Sequence, residues 1–219
     1  MGYFDKSLFT FLNGLERNNN RDWFQKHKDS YEADLKEPFL DFISDSGPQL
    51  HKISKFIVAD PRPNGGSLFR IYRDVRFSKD KSPYKTHAGA HFPVGGKAVH
   101  GPGYYLHLQP GECFVAGGMW MPEPKALQMI RERIVDKPAE WKKVRATLDH
   151  PEGALKRPPQ GFDPSHPFIE DLKRKSFTSS RPLTDKQVTG PDLMKAFITA
   201  CKEISPMMKF LATAVGSSW

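Results

Sequence analysis

The feature that most constrains the fold is a series of short alternating runs in the middle of the chain, with little sequence between them. Residues 87–94 alternate in the period-two pattern of a half-buried strand, with apolar members Ala88, Ala90, Phe92 and Val94. Further strand-like runs lie at 68–77, 104–108 and 113–120. Because the connections are too short for the helix of a parallel crossover, we predict a mainly antiparallel sheet over about residues 68–120.

Helical spacing of apolar residues marks the two ends of the chain. One short amphipathic helix is predicted by Leu8, Phe11, Leu12 and Leu15. The run Asn18–Asn20 offers a polar turn and an N-cap for the next helix. Near the other end, helical spacing links Leu193, Phe197, Cys201 and Ile204, with an interruption expected at Pro206. We therefore expect an α+β fold in a single domain, 1–219, made of N-terminal helices within 5–46, the sheet region 68–120 and C-terminal helices within 123–216.

Composition narrows the class of protein. Hydrophobic residues make up 38% of 219 residues, which is enough for a packed core and argues against intrinsic disorder. The chain begins without the basic and apolar regions of a signal peptide, and no run approaches the roughly 20 apolar residues that span a bilayer. Cys113 and Cys201 have no zinc-site spacing, and we predict that they are buried and unbridged. We expect a cytoplasmic protein with no membrane partner.

The charge is concentrated in one part of the chain. The net charge is +8, but residues 1–50 carry six Lys/Arg against nine Asp/Glu, whereas residues 52–97 carry ten against three. The most cationic stretch is Phe69–His87, in which a strand assignment puts Arg73 on the apolar face between Ile71 and Val75. Because arginine is rarely buried alone, three interpretations stay open: Arg73 pairs with a carboxylate, it lines a cavity that receives an anion, or the strand register differs.

The same segment carries a family resemblance. Arg70-Ile-Tyr-Arg-Asp-Val-Arg-Phe-Ser-x-Asp-Lys-Ser-Pro-Tyr-Lys85 resembles the signature of the widespread, mostly bacterial domain-of-unknown-function 2461 family. Upstream, Asn19-x-Arg21-x-Trp23-Phe24 with Lys28 and Tyr31 is similar to that family's N-terminal motif. Downstream, Tyr104–Gly111 and Ala116–Trp120 are similar to its hairpin. The resemblance covers essentially the whole chain and implies no settled activity, cofactor or catalytic residue.

We predict an anion-binding site in this segment, because arginine and lysine donors suit phosphate and carboxylate groups. The predicted binding residues are Arg70, Arg73, Arg76, Lys79, Lys81 and Lys85, and the further residues expected to line the site are Tyr72, Asp74, Tyr84, His87 and His107. At least two of the arginines should converge on one cavity. Asp74 is better suited to pairing with its arginine neighbours than to acting as a base, because those cations lower its pKa.

Two alternatives to a small-anion site stay open. A nucleic-acid-binding module would use the cations on phosphates and stack bases on Tyr72, Tyr84 or Tyr104. A protein-interaction domain would use the same cations against an acidic partner. The sequence does not reveal whether the protein is an enzyme. His87, His91 and His107 could share one face of the sheet, but no ligand motif supports them, so we predict no bound metal and no cofactor.

Overall fold

A computed structural model describes residues 2–95, 101–151 and 153–219 of the chain. The N-terminal region is helical, and Asn20 caps the N-terminus of its second helix, as predicted, by accepting a hydrogen bond from the Trp23 N–H at 2.9 Å. A π-helical stretch precedes Pro38, which has no N–H to continue regular hydrogen bonding. The elements are α1 (Lys6–Arg17), α2 (Arg21–Lys26), α3 (Lys28–Ser30), the π-helix (Tyr31–Lys36) and α4 (Glu37–His51).

Within the described residues, four antiparallel strands follow in the spatial order in which they occur along the chain. They are β1 (Ala88–Pro93), β2 (Gly103–Leu108), β3 (Cys113–Met119) and β4 (Phe177–Leu183). Because helices lie before and after this sheet, the predicted α+β class is confirmed. Residues 96–100, which belong to the predicted sheet region, lie outside the described residues.

Two details of the predicted sheet are wrong. Residues 68–77 do not form a strand, and pairing in that segment is limited to isolated bridges from Leu68 to Ala90 and from Tyr72 to Tyr84. The alternation in 68–77 does not mark one buried face, because Phe69 and Phe77 are both exposed. The other error concerns the C-terminal region, which contributes β4 to the sheet as well as helices.

Helices fill most of the C-terminal region, and the last of them covers one face of the sheet. Their bounds are α5 (Pro124–Asp136), α6 (Pro138–Val144), a 3₁₀ turn (Arg145–Thr147), α7 (Ile169–Leu172), α8 (Asp185–Val188) and α9 (Leu193–Ala214). The predicted interruption at Pro206 is wrong, because α9 continues through it. Proline cannot donate to the Lys202 carbonyl oxygen, and the Ser205 hydroxyl donates to that oxygen instead at 2.9 Å.

Helix α9 packs against the inner face of the sheet. Tyr104 donates its hydroxyl hydrogen to the Cys201 carbonyl oxygen at 3.0 Å, and Phe92 packs on Phe197 with ring centroids 5.2 Å apart. Cys113 and Cys201 are both buried and free, as predicted. No helix in the described parts of the chain is long and apolar enough to cross a membrane.

Candidate functional site

The cationic segment leaves the sheet as a loop that begins and ends at one backbone pairing. The Arg73 N–H donates to the Pro83 carbonyl oxygen at 2.9 Å, and the Lys85 N–H donates to the Ile71 carbonyl oxygen at 2.8 Å. We call residues 73–83 the cationic loop. The pairing fixes the base of this loop beside β1, so side chains near its two ends come together while those in the middle extend into solvent.

An asparagine from the N-terminal helices holds the base of the loop in place. The Asn19 side chain donates to the Tyr84 carbonyl oxygen at 2.9 Å and accepts from the Tyr84 N–H at 3.0 Å. The Tyr84 ring stacks on Phe24 with centroids 4.2 Å apart and lies buried. These contacts join the N-terminal motif that contains Asn19 to the cationic segment that contains Tyr84, although the two residues are 65 positions apart in the sequence.

A cavity of about 420 Å³ opens where α1, the cationic loop and the start of β1 meet. Its lining is almost entirely polar or charged, and it consists of Glu16, Asn19, Arg73, Asp80, Ser82, Tyr84, Lys85, Thr86 and His87. Four of the residues predicted from the sequence therefore lie together here, namely Arg73, Tyr84, Lys85 and His87.

Arg73 is the only one of the three predicted arginines that lines this cavity. Its guanidinium pairs with the Asp80 carboxylate, whose other oxygen accepts from the Ser82 N–H at 2.9 Å and from the Ser82 hydroxyl at 2.6 Å. These bonds hold the pKa of Asp80 well below its usual range, with Arg73 as the largest cause. The pair is partly open to solvent, with 30% of the Arg73 side chain and 57% of the Asp80 side chain exposed.

Lys85 brings a second cation to the cavity without a counter-ion. Its ammonium group donates to the Arg70 carbonyl oxygen at 2.9 Å, and among the described residues no carboxylate lies within ion-pair distance of it. Partial burial, and secondly the charge of Arg70, lower the pKa of Lys85. An anion that enters the cavity would therefore interact favourably with the positive charge of Lys85.

The remaining predicted cations lie outside the cavity. Arg70, Lys79 and Lys81 are exposed, and Arg76 pairs with Asp74 at 2.6 Å on the surface. Hydrogen bonds from Arg76 lower the pKa of Asp74 to about 2, in line with the pairing role predicted for Asp74. The predicted convergence of at least two arginines is therefore not found at this cavity, because Arg70 and Arg76 do not line it.

Histidines connect the cavity with the outer face of the sheet. The rings of His87 and His107 lie 4.5 Å apart, and Tyr105 Oη lies 3.0 Å from His107 Nδ1. His107 Nε2 faces the Gln109 Oε1 acceptor at 3.4 Å, which assigns the ring proton to Nε2 and makes Tyr105 the donor to Nδ1. Burial is the largest cause that lowers the pKa of His87 to about 4, and His107 and Lys85 add to it.

Neutral imidazole is therefore the form of His87 that faces the cavity near pH 7. Burial also lowers the pKa of His107 and of His91. Within residues 2–95, 101–151 and 153–219, no cluster of three or more His, Cys, Asp and Glu side chains could hold a metal ion. The absence of a bound metal and of a cofactor stays a prediction.

The sequence model of one family, described as conserved hypothetical protein (DUF2461), matches residues 7–210 of the chain. The chain belongs to this family. Among curated proteins and among solved structures, nothing matches it. Two of the three segments that suggested DUF2461 from the sequence contribute to the cavity, through Asn19 of the N-terminal motif and through residues between Arg73 and Lys85 of the central one.

Several cavity residues of this DUF2461 member were missing from the predicted site. Asn19 lies in the motif that carries the family resemblance, and a run of three asparagines between two helices is itself a signal. Ser82 and Thr86 flank predicted residues and could have been included for that reason. Glu16 is an exposed helical carboxylate, and nothing in the sequence distinguishes it from other such residues.

We expect the free energy of unfolding to fall as the pH drops from about 6.5 to about 4. The folded chain holds His87 at a pKa of about 4, whereas unfolded histidine titrates near 6.5, so only the unfolded chain gains this proton within the window. The contribution of neutral His87 to the free energy of unfolding is thus complete above about pH 6.5 and is lost as the pH falls towards about 4. Over this pH range, His87→Gln should lose about 1–2 kcal/mol less stability than wild type, a reduced figure because the ring is only partly buried.

Urea unfolding between about pH 7 and about pH 4.5 measures this effect. His150→Gln, which changes an exposed histidine away from the cavity, is the matched control and accounts for the acid sensitivity of the rest of the chain. If wild type and His87→Gln lose stability equally over this range, the assignment of His87 as a neutral cavity residue is wrong.

Proposed function

We propose that the cavity of this DUF2461 member binds a small phosphate- or carboxylate-bearing molecule between Arg73 and Lys85. The observation that carries the proposal is the Lys85 ammonium group, which is partly buried at the cavity and has no carboxylate partner among the described residues. Charged donors in such a position form short hydrogen bonds with anionic oxygens that are stronger than those between neutral groups.

The two carboxylates that line the cavity do not cancel this attraction. Arg73 and Ser82 already occupy the oxygens of Asp80. Glu16 is exposed, so solvent and salt screen its charge. The hydroxyl groups of Ser82 and Thr86 add neutral donors at the same cavity. Lys85 is therefore the cation of this cavity whose charge is least neutralised by carboxylates of the protein.

A cytoplasmic setting is part of the proposal. Two free, buried thiols suit a reducing compartment, although they do not require one.

Calorimetric titration with inorganic phosphate, sulfate and small dicarboxylates, at constant ionic strength, tests the proposal. We expect at least one of these anions to bind wild-type protein and Lys85→Met to weaken that binding by about tenfold or more. Lys79→Met is the matched control, because it removes an exposed lysine of the same loop that does not line the cavity.

Arg73→Met should weaken binding to a similar extent while the melting temperature changes by less than about 3 °C, because its partner Asp80 remains in contact with solvent. Binding that Lys79→Met and Lys85→Met reduce equally would point to a general surface charge effect and overturn the proposal. So would a wild-type protein that binds none of these anions.

A further inference from the structure

Three aromatic side chains around the cationic loop are exposed, which is unusual for rings of this size. Phe69 is 46% exposed, Tyr72 is 54% exposed and Phe77 is 96% exposed. Phe77 lies near the middle of the loop, where the Arg76 guanidinium lies 5.9 Å from its ring centroid and no other ring of the described residues packs against it. Full exposure of a phenylalanine gains nothing for folding, and exposed apolar side chains that gather in one region are typical of binding surfaces.

Phe69 and Tyr72 are each held by neighbouring side chains and remain about half exposed, and the Lys85 ammonium lies over the Phe69 ring, 5.3 Å from its centroid. Phe69 packs against His91, with ring centroids 6.3 Å apart and nearly parallel planes, and against Tyr105. Tyr72 packs against Tyr84 at 5.4 Å and Phe24 at 6.3 Å. A ring that is held from behind and half exposed offers a preformed surface for stacking, because ordering it on binding costs little entropy.

Cations accompany these rings. Arg70, Lys79 and Lys81 are exposed, and among the described residues none of them has a carboxylate within ion-pair distance. The Arg76–Asp74 pair is highly exposed on both sides, so solvent screens it and Arg76 can exchange Asp74 for another anion. This part of the chain therefore combines exposed rings with cations that can contact a chain of negative charges.

We propose that Phe69, Tyr72 and Phe77 form a stacking surface for single-stranded nucleic acid, with Arg70, Arg76, Lys79 and Lys81 contacting its phosphates. Bases stack on aromatic side chains whatever their identity, and neighbouring cations neutralise the backbone, so the surface should bind with little sequence preference. Two of the stacking residues predicted from the sequence are excluded, because Tyr84 and Tyr104 are buried.

An anionic membrane surface is the competing partner, and the arrangement of the rings argues against it. Interfacial binding needs a continuous apolar face. Here Phe77 is flanked by Arg76 and Ser78, while Phe69 and Tyr72 pack against neighbouring rings at the base of the loop. One inserted phenylalanine buries little area, whereas three separate rings suit successive bases.

Fluorescence anisotropy with a labelled oligothymidylate of about 15 nucleotides tests this proposal with the full chain. We expect binding that is tighter than to a duplex of the same length, because paired bases cannot stack on the rings. Phe77→Ala should weaken binding by about tenfold or more. Trp120→Ala, which removes an exposed aromatic residue outside the loop, is the matched control and should leave the affinity unchanged.

Salt dependence and the small-anion site separate this proposal from its competitors. Between about 50 and about 200 mM salt the affinity should fall steeply, and Lys79→Gln should lower the slope, whereas the exposed Lys186→Gln should not. Arg73→Met should retain oligonucleotide binding even if it loses phosphate binding. No binding at low salt, equal losses in Phe77→Ala and Trp120→Ala, or binding to phosphatidylserine vesicles but not to the oligonucleotide would each overturn the proposal.

Discussion

Asp171→Ala is expected to lower the free energy of unfolding by about 3–5 kcal/mol, which corresponds to a fall in melting temperature of roughly 10 °C. The Asp171 carboxylate is 3% exposed and accepts from Trp141 Nε1 at 2.9 Å and from Arg145 Nε at 2.7 Å. Arg174 Nε lies 3.5 Å from its other oxygen. Alanine would leave the indole N–H of a fully buried tryptophan without an acceptor and two guanidinium groups without their common counter-ion.

The neighbouring residue supplies the control for this change. Glu170 is also a carboxylate of α7, but its side chain is 76% exposed, and within the described parts of the chain Lys173 is its one ion-pair partner. Glu170→Ala should therefore have little effect on stability. Chemical denaturation of both variants measures the difference. A loss below about 1 kcal/mol in Asp171→Ala would contradict the structural role given to this carboxylate.

Gly118→Ala should lower the free energy of unfolding by a similar amount, because β4 lies very close to Gly118 of β3. Gly118 has a φ of +137°, and a Cβ atom there would lie 2.0 Å from the Phe177 carbonyl oxygen and 2.8 Å from Thr178 Cα. Both obstacles are backbone atoms of β4, which a rotamer change cannot move. We expect a loss of at least about 3 kcal/mol, or failure to fold, since either the pairing or the backbone conformation must give way.

A second glycine serves as a control, because it tests the cost of a positive φ without a steric collision. Gly111 also has a positive φ, +75°, but a Cβ atom there would meet nothing within 4 Å. Gly111→Ala should cost only about 1–2 kcal/mol. Thermal melts of the two variants make the comparison. A folded Gly118→Ala that is as stable as Gly111→Ala would show that β3 and β4 do not approach as closely as described.

The hairpin of β2 and β3 could be predicted from the sequence because local signals agree there. Alternation on both sides of Gln109–Glu112 and the turn chemistry of those residues indicate the same structure. Two successive glycines inside a strand-like run, Gly117 and Gly118, are typical of a bulge or a close backbone approach, and the structure shows a close approach at Gly118. β4 could not be predicted in the same way, because its central serines and Pro182 weaken the strand pattern and its partner lies about 60 residues earlier.

The cationic segment shows why alternation alone is an insufficient guide. Residues 68–77 alternate as regularly as β1, but that alternation places large apolar residues at positions which the structure leaves exposed, such as Phe77. The Tyr72–Tyr84 bridge turns the chain back on itself and takes residues 73–83 away from the sheet. A long-range pairing of this kind depends on tertiary contacts, including that of Asn19 with Tyr84, which periodicity does not encode.

The chemistry of the candidate site was predictable, whereas its geometry was not. The density of Arg and Lys between positions 70 and 85 marks the segment without any structure. Which cations face the cavity depends on the path of the loop, which brings Arg73 and Lys85 together and turns Arg70 and Arg76 outward. For Arg73, the first interpretation applies because it pairs with Asp80, and the third applies because residues 68–77 do not form the strand on which its register was based. Arg73 also lines the cavity, and the entry of an anion there stays a prediction.

Anomalous diffraction from crystals of the full chain soaked in selenate tests the anion cavity most directly. Selenate has the shape and charge of sulfate, and its selenium atom can be located without ambiguity. We predict a strong anomalous peak inside the cavity, within about 4 Å of both the Lys85 ammonium and the Arg73 guanidinium, and its loss in Lys85→Met crystals. An empty cavity with selenate bound instead at Arg76 or Lys79 would contradict the account.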